Sequence, residues 1–116
     1  MKQFIIIEDE PIAARRLKKL ILEIGTDYEY ITHLESVEDA VNWFKNNRFN
    51  GLICMDIHLA DGTCFDILNQ VEIQSPVIFT TAYEDYMVRS FEILAIAYLL
   101  KPIKKEELDY LREMER

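Results

Sequence analysis

Short apolar runs alternate with stretches of helical period along the whole chain. KQFIII (residues 2 to 7) is short and rich in β-branched residues, which predicts a strand. PIAARRLKKLILEIG follows, with Ala13, Leu17, Leu20 and Ile24 recurring at helical spacing, Pro11 at the favoured first position and Gly25 at the natural stop. YEYITH (28 to 33) predicts a second strand. Ser36 with Asp39 three residues on resembles a capping box, and Val37, Ala40, Val41 and Phe44 then line one helical face. NGLICMD (50 to 56) predicts the third strand, and a helix follows over roughly Cys64 to Val71. PVIFTT (76 to 81) predicts the fourth strand, with Pro76 tolerated because it starts it. EDYMVRSFEIL (84 to 94) predicts a helix, AIAYLL (95 to 100) the fifth strand, and KKEELDYLREMER a polar last helix with Leu108, Leu111 and Met114 on one side.

Five strand–helix pairs with short connections predict an α/β fold, a doubly wound five-stranded parallel sheet flanked by five helices. A length of 116 residues suits one domain, and a hydrophobic share of 50% with three glycines and three prolines supports a packed core rather than disorder. The net charge of −8 argues against this chain gripping nucleic acid or anionic lipid by itself. Cys54 and Cys64 are not spaced like a zinc site, and no signal peptide precedes them, so both are expected to stay reduced in a cytoplasmic protein. The apolar runs are too short to span a bilayer.

In open α/β sheets, function gathers at the carboxyl ends of the strands. The first strand is followed by Glu8, Asp9 and Glu10, the third ends in Asp56, the fourth in Thr80, Thr81 and Ala82, and the fifth in Lys101 and Pro102. The second offers only His33. Clustered carboxylates repel one another unless a cation relieves them, and oxygen-only ligands with open positions suit Mg²⁺. A lysine and a threonine hydroxyl beside them would complete a phosphoryl-binding site. A carboxylate can itself be the nucleophile, and Asp56, alone on the central strand, is the natural acceptor.

An acid pair, a solitary Asp, Thr-Ala and Lys-Pro, in that order and each at a strand end, resemble the receiver domain of two-component response regulators. MDIHLADG, IFTTAYEDY and AYLLKPI bring the resemblance nearest to receivers of the LytTR type. It covers essentially the whole chain, as one receiver domain over 1–116, and implies a flavodoxin-like strand order of 2-1-3-4-5. It further implies that Asp9 binds Mg²⁺ directly, that Glu8 acts largely through water, and that Asp56 is both phosphoacceptor and metal ligand. The backbone carbonyl of His58 would be the next ligand. Thr81 would hydrogen-bond the phosphoryl group, Ala82 would offer its backbone N–H, and Lys101 would pair with a phosphoryl oxygen next to a cis Lys101–Pro102 bond. Tyr98 would be the aromatic whose rotation follows a shift of Thr81. The implied partners are a sensor histidine kinase and, on activation, a second copy meeting through the fourth helix, fifth strand and fifth helix. The chain would be the N-terminal part of a longer transcription regulator, with a DNA-binding output domain beyond Arg116.

The acid pair Glu8-Asp9 departs from the commoner Asp-Asp, a variation the family also allows, and two further positions depart from the family pattern. Ala60 stands where Pro is common and Cys64 where Gly is common, which leaves the shape of the loop after the third strand open, with Gly62 as a source of flexibility. Local alternatives exist for single residues. Glu10 suits the positive end of the first helix, at about 0.3–1 kcal/mol. Asp61 is read as initiating a turn, Asp66 as facing solvent on a helix, His33 and Trp43 as structural, and Cys54 as inert in a buried strand. His58 is read as an exposed loop residue that, with Tyr83, limits access of hydrolytic water. A phosphatase with an aspartyl nucleophile would place a second acid two residues on, where His58 stands. A nucleotide-binding module would need a Gly-rich phosphate loop where EDEP stands.

Overall fold

The period-two geometry of KQFIII turns Phe4 and Ile6 to one face and Ile5 and Ile7 to the other, and all four are at most 1% exposed. A strand buried on both sides needs cover on both sides, and the element order supplies it. The computed structural model describes residues 2–24, 27–82 and 95–109. Within them the chain forms β1 (Lys2–Ile7), α1 (Pro11–Ile24), β2 (Tyr28–Leu34), α2 (Val37–Asn46), β3 (Leu52–Asp56), β4 (His58–Leu59), β5 (Gly62–Thr63), α3 (Cys64–Leu68), β6 (Val77–Thr81) and β7 (Ala95–Leu100). Five of these strands pair in parallel in the order β2-β1-β3-β6-β7, which matches the expected doubly wound order. β4 and β5 form a separate antiparallel hairpin. The expected helix over 84–94, Gly25, Tyr83 and the last helix beyond residue 109 fall outside the described residues.

One core layer lies between the sheet and α1, where Ala14, Leu17, Ile21 and Ile24 meet Phe4, Ile6, Cys54 and Ile78. The buried stripe of α1 thus runs through Ala14 and Ile21, while Ala13 and Leu20, expected on it, sit half-buried at its edge. Ile103 and Leu108 close the same layer, and residues 105–109 form a 3₁₀ turn where a helix was expected to begin. The second layer packs α2 and α3 against Ile5, Ile53, Met55 and Phe79. Each large side chain buried here contributes roughly 1.5–3 kcal/mol relative to exposure.

The helix starts follow from local chemistry. Pro11 occupies the first position of α1, and Ala14 N–H donates to the Glu10 carbonyl at 3.0 Å. Ser36 caps α2 by accepting from Asp39 N–H at 3.0 Å. α3 is shorter than expected, ending at Leu68, because a turn over Asn69 and Gln70 takes up the terminal carbonyls of Phe65 and Ile67.

Candidate functional site

The sheet order reverses between β1 and β3, and a crevice at the carboxyl ends of the strands is the usual consequence. Glu8 and Asp9 leave β1 on one side of this point, and Asp56 ends β3 on the other. Their carboxylate oxygens lie within 4.8 Å of one another. Lys101, just past β7, reaches across with its Nζ 2.5 Å from Glu8 Oε1 and 2.8 Å from Asp56 Oδ2. Residues from three strand ends therefore converge as the sequence suggested.

Glu8 is 4% and Asp56 5% exposed, so this charge is held largely out of water. Burial pushes the Glu8 carboxyl up to about 7, opposed by the bond from Lys101 and reinforced by the nearby Asp56 charge. Burial pulls the Lys101 ammonium down, but its bonds to Asp56 and Glu8 outweigh this and leave it above its ordinary value. One lysine does not neutralise the cluster. With all groups ionised, Glu8, Asp9 and Asp56 against Lys101 leave two negative charges, and hard oxygen donors carrying that charge fit a divalent cation such as Mg²⁺.

Backbone contacts aim these side chains. Glu8 N–H donates to the Leu34 carbonyl at 2.9 Å, and Glu10 N–H donates to Glu8 Oε2 at 3.2 Å. His33 Nε2 lies 2.6 Å from the Glu8 carbonyl, so the residue read as merely structural holds the turn that presents the acid pair. Lys101 N–H donates to the Thr81 carbonyl at 2.7 Å, tying the lysine to the end of β6, and the Lys101–Pro102 bond is cis as the resemblance implied. Thr81 is fully buried, with Ala82 exposed just beyond it. Tyr98 is half-buried on β7 and stacks on Phe79, with centroids 5.3 Å apart and planes at 7°. A cleft of about 300 Å³ between α1 and Pro102–Ile103 has Glu8 and Lys101 among its lining residues.

Beyond β3 the structure resolves the shape that Ala60 and Cys64 left open. Ile57 N–H donates to the Thr80 carbonyl at 3.0 Å, His58 N–H donates to Asp56 Oδ1 at 3.2 Å, and a hairpin then turns at Ala60-Asp61. His58 is a half-buried strand residue paired with Thr63, which corrects its reading as an exposed loop residue. Asp61 does sit in the turn, but its carboxylate also accepts from the N–H groups of Val37 and Glu38 on α2. Asp66 is exposed, and accepts from Thr63 N–H at 2.9 Å. Gly62 has φ +155°, and a Cβ there would overlap the Asp66 carboxylate, so glycine is required. Cys54 and Cys64 are both buried, and burial pushes each thiol up to about 12.

The response regulator receiver domain family matches residues 4–111, and the chain belongs to that family. It is a signalling module of the two-component type. The sensory transduction protein LytR of Staphylococcus epidermidis is 33% identical over 108 residues, which are 90% of this chain and 42% of that protein. The chain thus spans less than half the length of this curated relative. The response regulatory domain of protein mrkE from Klebsiella pneumoniae superposes with a TM-score of 0.83 at 23% identity, covering 97% of this chain and 93% of that one. Response regulator TrrA of Thermotoga maritima, solved in complex with Mg²⁺-BeF, gives a TM-score of 0.75 at 24% identity and covers 99% and 96%. These two structures share the fold. Among the described residues, no helix is long and apolar enough to cross a membrane.

Proposed function

We propose that this domain is a phosphorylation switch in which Asp56 accepts a phosphoryl group from the phosphohistidine of a sensor histidine kinase. The observation that carries the reading is the convergence of Glu8, Asp9, Asp56 and Lys101 at the point where the sheet order reverses. Glu8, Asp9, Asp56 and the backbone carbonyl of His58 would hold Mg²⁺, Asp9 directly and Glu8 largely through water. When bound, the ion offsets charge on the phosphoryl oxygens.

The Asp56 carboxylate attacks phosphorus in line. Its O–P bond forms as the P–N bond to the donor imidazole breaks, and that electron pair leaves with the imidazole nitrogen. Lys101, which bridges Glu8 and Asp56 before the reaction, pairs with a phosphoryl oxygen, while the Thr81 hydroxyl and Ala82 N–H bind the others. Attack of water on the same phosphorus later restores the carboxylate and releases inorganic phosphate. The domain catalyses its own modification and is not a turnover enzyme.

Engagement of Thr81 biases an equilibrium in which Tyr98 moves with it, reshaping a partner surface that includes β7. A second copy would meet that surface on activation. Transcription control would run through a LytTR-type DNA-binding domain that is not in this chain, in a cytoplasmic protein with no membrane partner. The transcriptional part of this reading is supported by the transcriptional regulatory protein LytR of Staphylococcus aureus, 31% identical over 108 residues. The test is intact mass after incubation with an acyl phosphate, with and without Mg²⁺, on wild type and Asp56→Asn. A gain of one phosphoryl group that needs both Mg²⁺ and Asp56 is expected. An equal gain in Asp56→Asn would overturn the assignment.

A further inference from the structure

We infer that Asp61 is a positioning residue for the Asp56 site, acting through the hairpin that carries His58. This rests on the proposed roles of Asp56 and His58. The backbone at His58 is pinned to the sheet on one side, where Ile57 N–H donates to the Thr80 carbonyl at 3.0 Å and His58 N–H donates to Asp56 Oδ1 at 3.2 Å. At its far end the hairpin is anchored by Asp61, whose Oδ1 accepts from Val37 N–H at 2.7 Å and Oδ2 from Glu38 N–H at 3.1 Å. The base closes through Cys64 N–H to the Ile57 carbonyl at 2.8 Å.

The α2 N-terminus has a cap of its own, Ser36 Oγ accepting from Asp39 N–H at 3.0 Å. Asp61 satisfies two different N–H groups from 24 and 23 residues away, so its bonds tie two segments together as well as ending a helix. The Val37 bond first, with that from Glu38, holds the Asp61 carboxyl below its ordinary value, as expected for an ionised acceptor facing a helix N-terminus. The short hairpin has little internal support, since β4 and β5 pair only His58 with Thr63 and Leu59 with Gly62. Loss of the Asp61 anchor frees the tip and loosens His58, whose N–H donates to Asp56 and whose carbonyl would be a cation ligand in the proposed site. Supporting contacts of this kind tune metal affinity without touching the ion.

Ser36→Ala is the matched control, because it removes a cap from the same helix and leaves the hairpin tied. Mg²⁺ affinity by calorimetry and hydrogen exchange of the amides of residues 57–64 are measured on wild type, Asp61→Ala, Asp61→Asn and Ser36→Ala. Asp61→Ala is expected to weaken Mg²⁺ binding about tenfold and to speed exchange across the hairpin. Asp61→Asn, which keeps one acceptor, should recover part of both, and Ser36→Ala should leave both near wild type despite a similar loss of melting temperature. Equal effects of Asp61→Ala and Ser36→Ala would reduce Asp61 to a helix cap and overturn the proposal. If wild type binds no Mg²⁺, the proposed metal site falls, and so does the positioning role, while exchange still reports whether Asp61 anchors the hairpin.

Discussion

The two rims of the sheet are built from the same strands and solved in opposite ways. At the amino rim, backbone groups satisfy one another: Lys2 N–H donates to the Asp27 carbonyl at 2.8 Å, Ile53 N–H to the Pro76 carbonyl at 3.0 Å, and Ser75 Oγ to the Phe49 carbonyl at 2.9 Å. Gly51 lies so close to the Gln3 carbonyl that a Cβ would collide with it. At the carboxyl rim, the carboxylates of Glu8, Asp9 and Asp56 converge, and two of them, Glu8 and Asp56, share one lysine. The first rim is held by neutral hydrogen bonds. The second holds buried charge in excess, a cost to stability that a cation and a phosphoryl group would turn into binding. Burial alone therefore does not mark function, but buried charge left incompletely balanced does.

Removing the lysine should break this contrast most strongly. Lys101→Met leaves Glu8 and Asp56 facing one another in a buried site, and we expect a loss of about 3 kcal/mol in denaturant unfolding at pH 8 without metal. Added Mg²⁺ should return part of it, and the loss should shrink at pH 5, where Glu8 holds its proton. A uniform loss at both pH values would show that the lysine stem packs more than its charge pairs.

Gly51→Ala attacks the other rim. The new methyl meets Gln3 backbone and the Phe49 ring, so a loss of about 1–3 kcal/mol is expected with no change in the phosphorylated fraction of folded protein. Altered phosphorylation at matched folded concentration would show that the rims are coupled.

Glu8→Gln sharpens the electrostatic part. The Glu8 carboxyl is raised to about 7 in the folded protein from an ordinary 4.5, so between those values the folded state binds more protons and stability falls as pH rises. Without metal, Glu8→Gln should match wild type below about pH 4.5 and exceed it by on the order of 3 kcal/mol above pH 7. The smallest expected effect is kinetic: His58→Ala should shorten the phosphoryl half-life by admitting water, and unchanged decay would remove His58 from that role.

Much of this was legible because strand ends are marked by composition. The runs FIII, LICM and VIFT announce strands buried on both faces, and the polar residue after each announces the rim. The site was legible for the same reason, since Glu8, Asp56 and Lys101 each follow such a run directly. What stayed hidden depends on contacts between distant segments. Asp61 stands beside a glycine, where a turn residue is the simplest reading, and nothing local says that Val37 will be waiting for its carboxylate. His33 was visible as a strand-end residue, but its bond to the Glu8 carbonyl depends on β1 and β2 lying side by side. Ala13 and Leu20 were placed on the core stripe of α1 because period alone does not choose between adjacent stripes when Ala14 and Ile21 are apolar too.

The central claim is that Asp56, and not another acid of this acidic chain, receives the phosphoryl group. Fragmentation of the phosphorylated protein under conditions that preserve acyl phosphates tests it directly. The account predicts all added mass on the segment containing Asp56, with Glu8, Asp9, Asp61 and Asp66 unmodified and labelling abolished by removal of Mg²⁺. Phosphate on Glu8 or Asp9, or label persisting in Asp56→Asn, would contradict it.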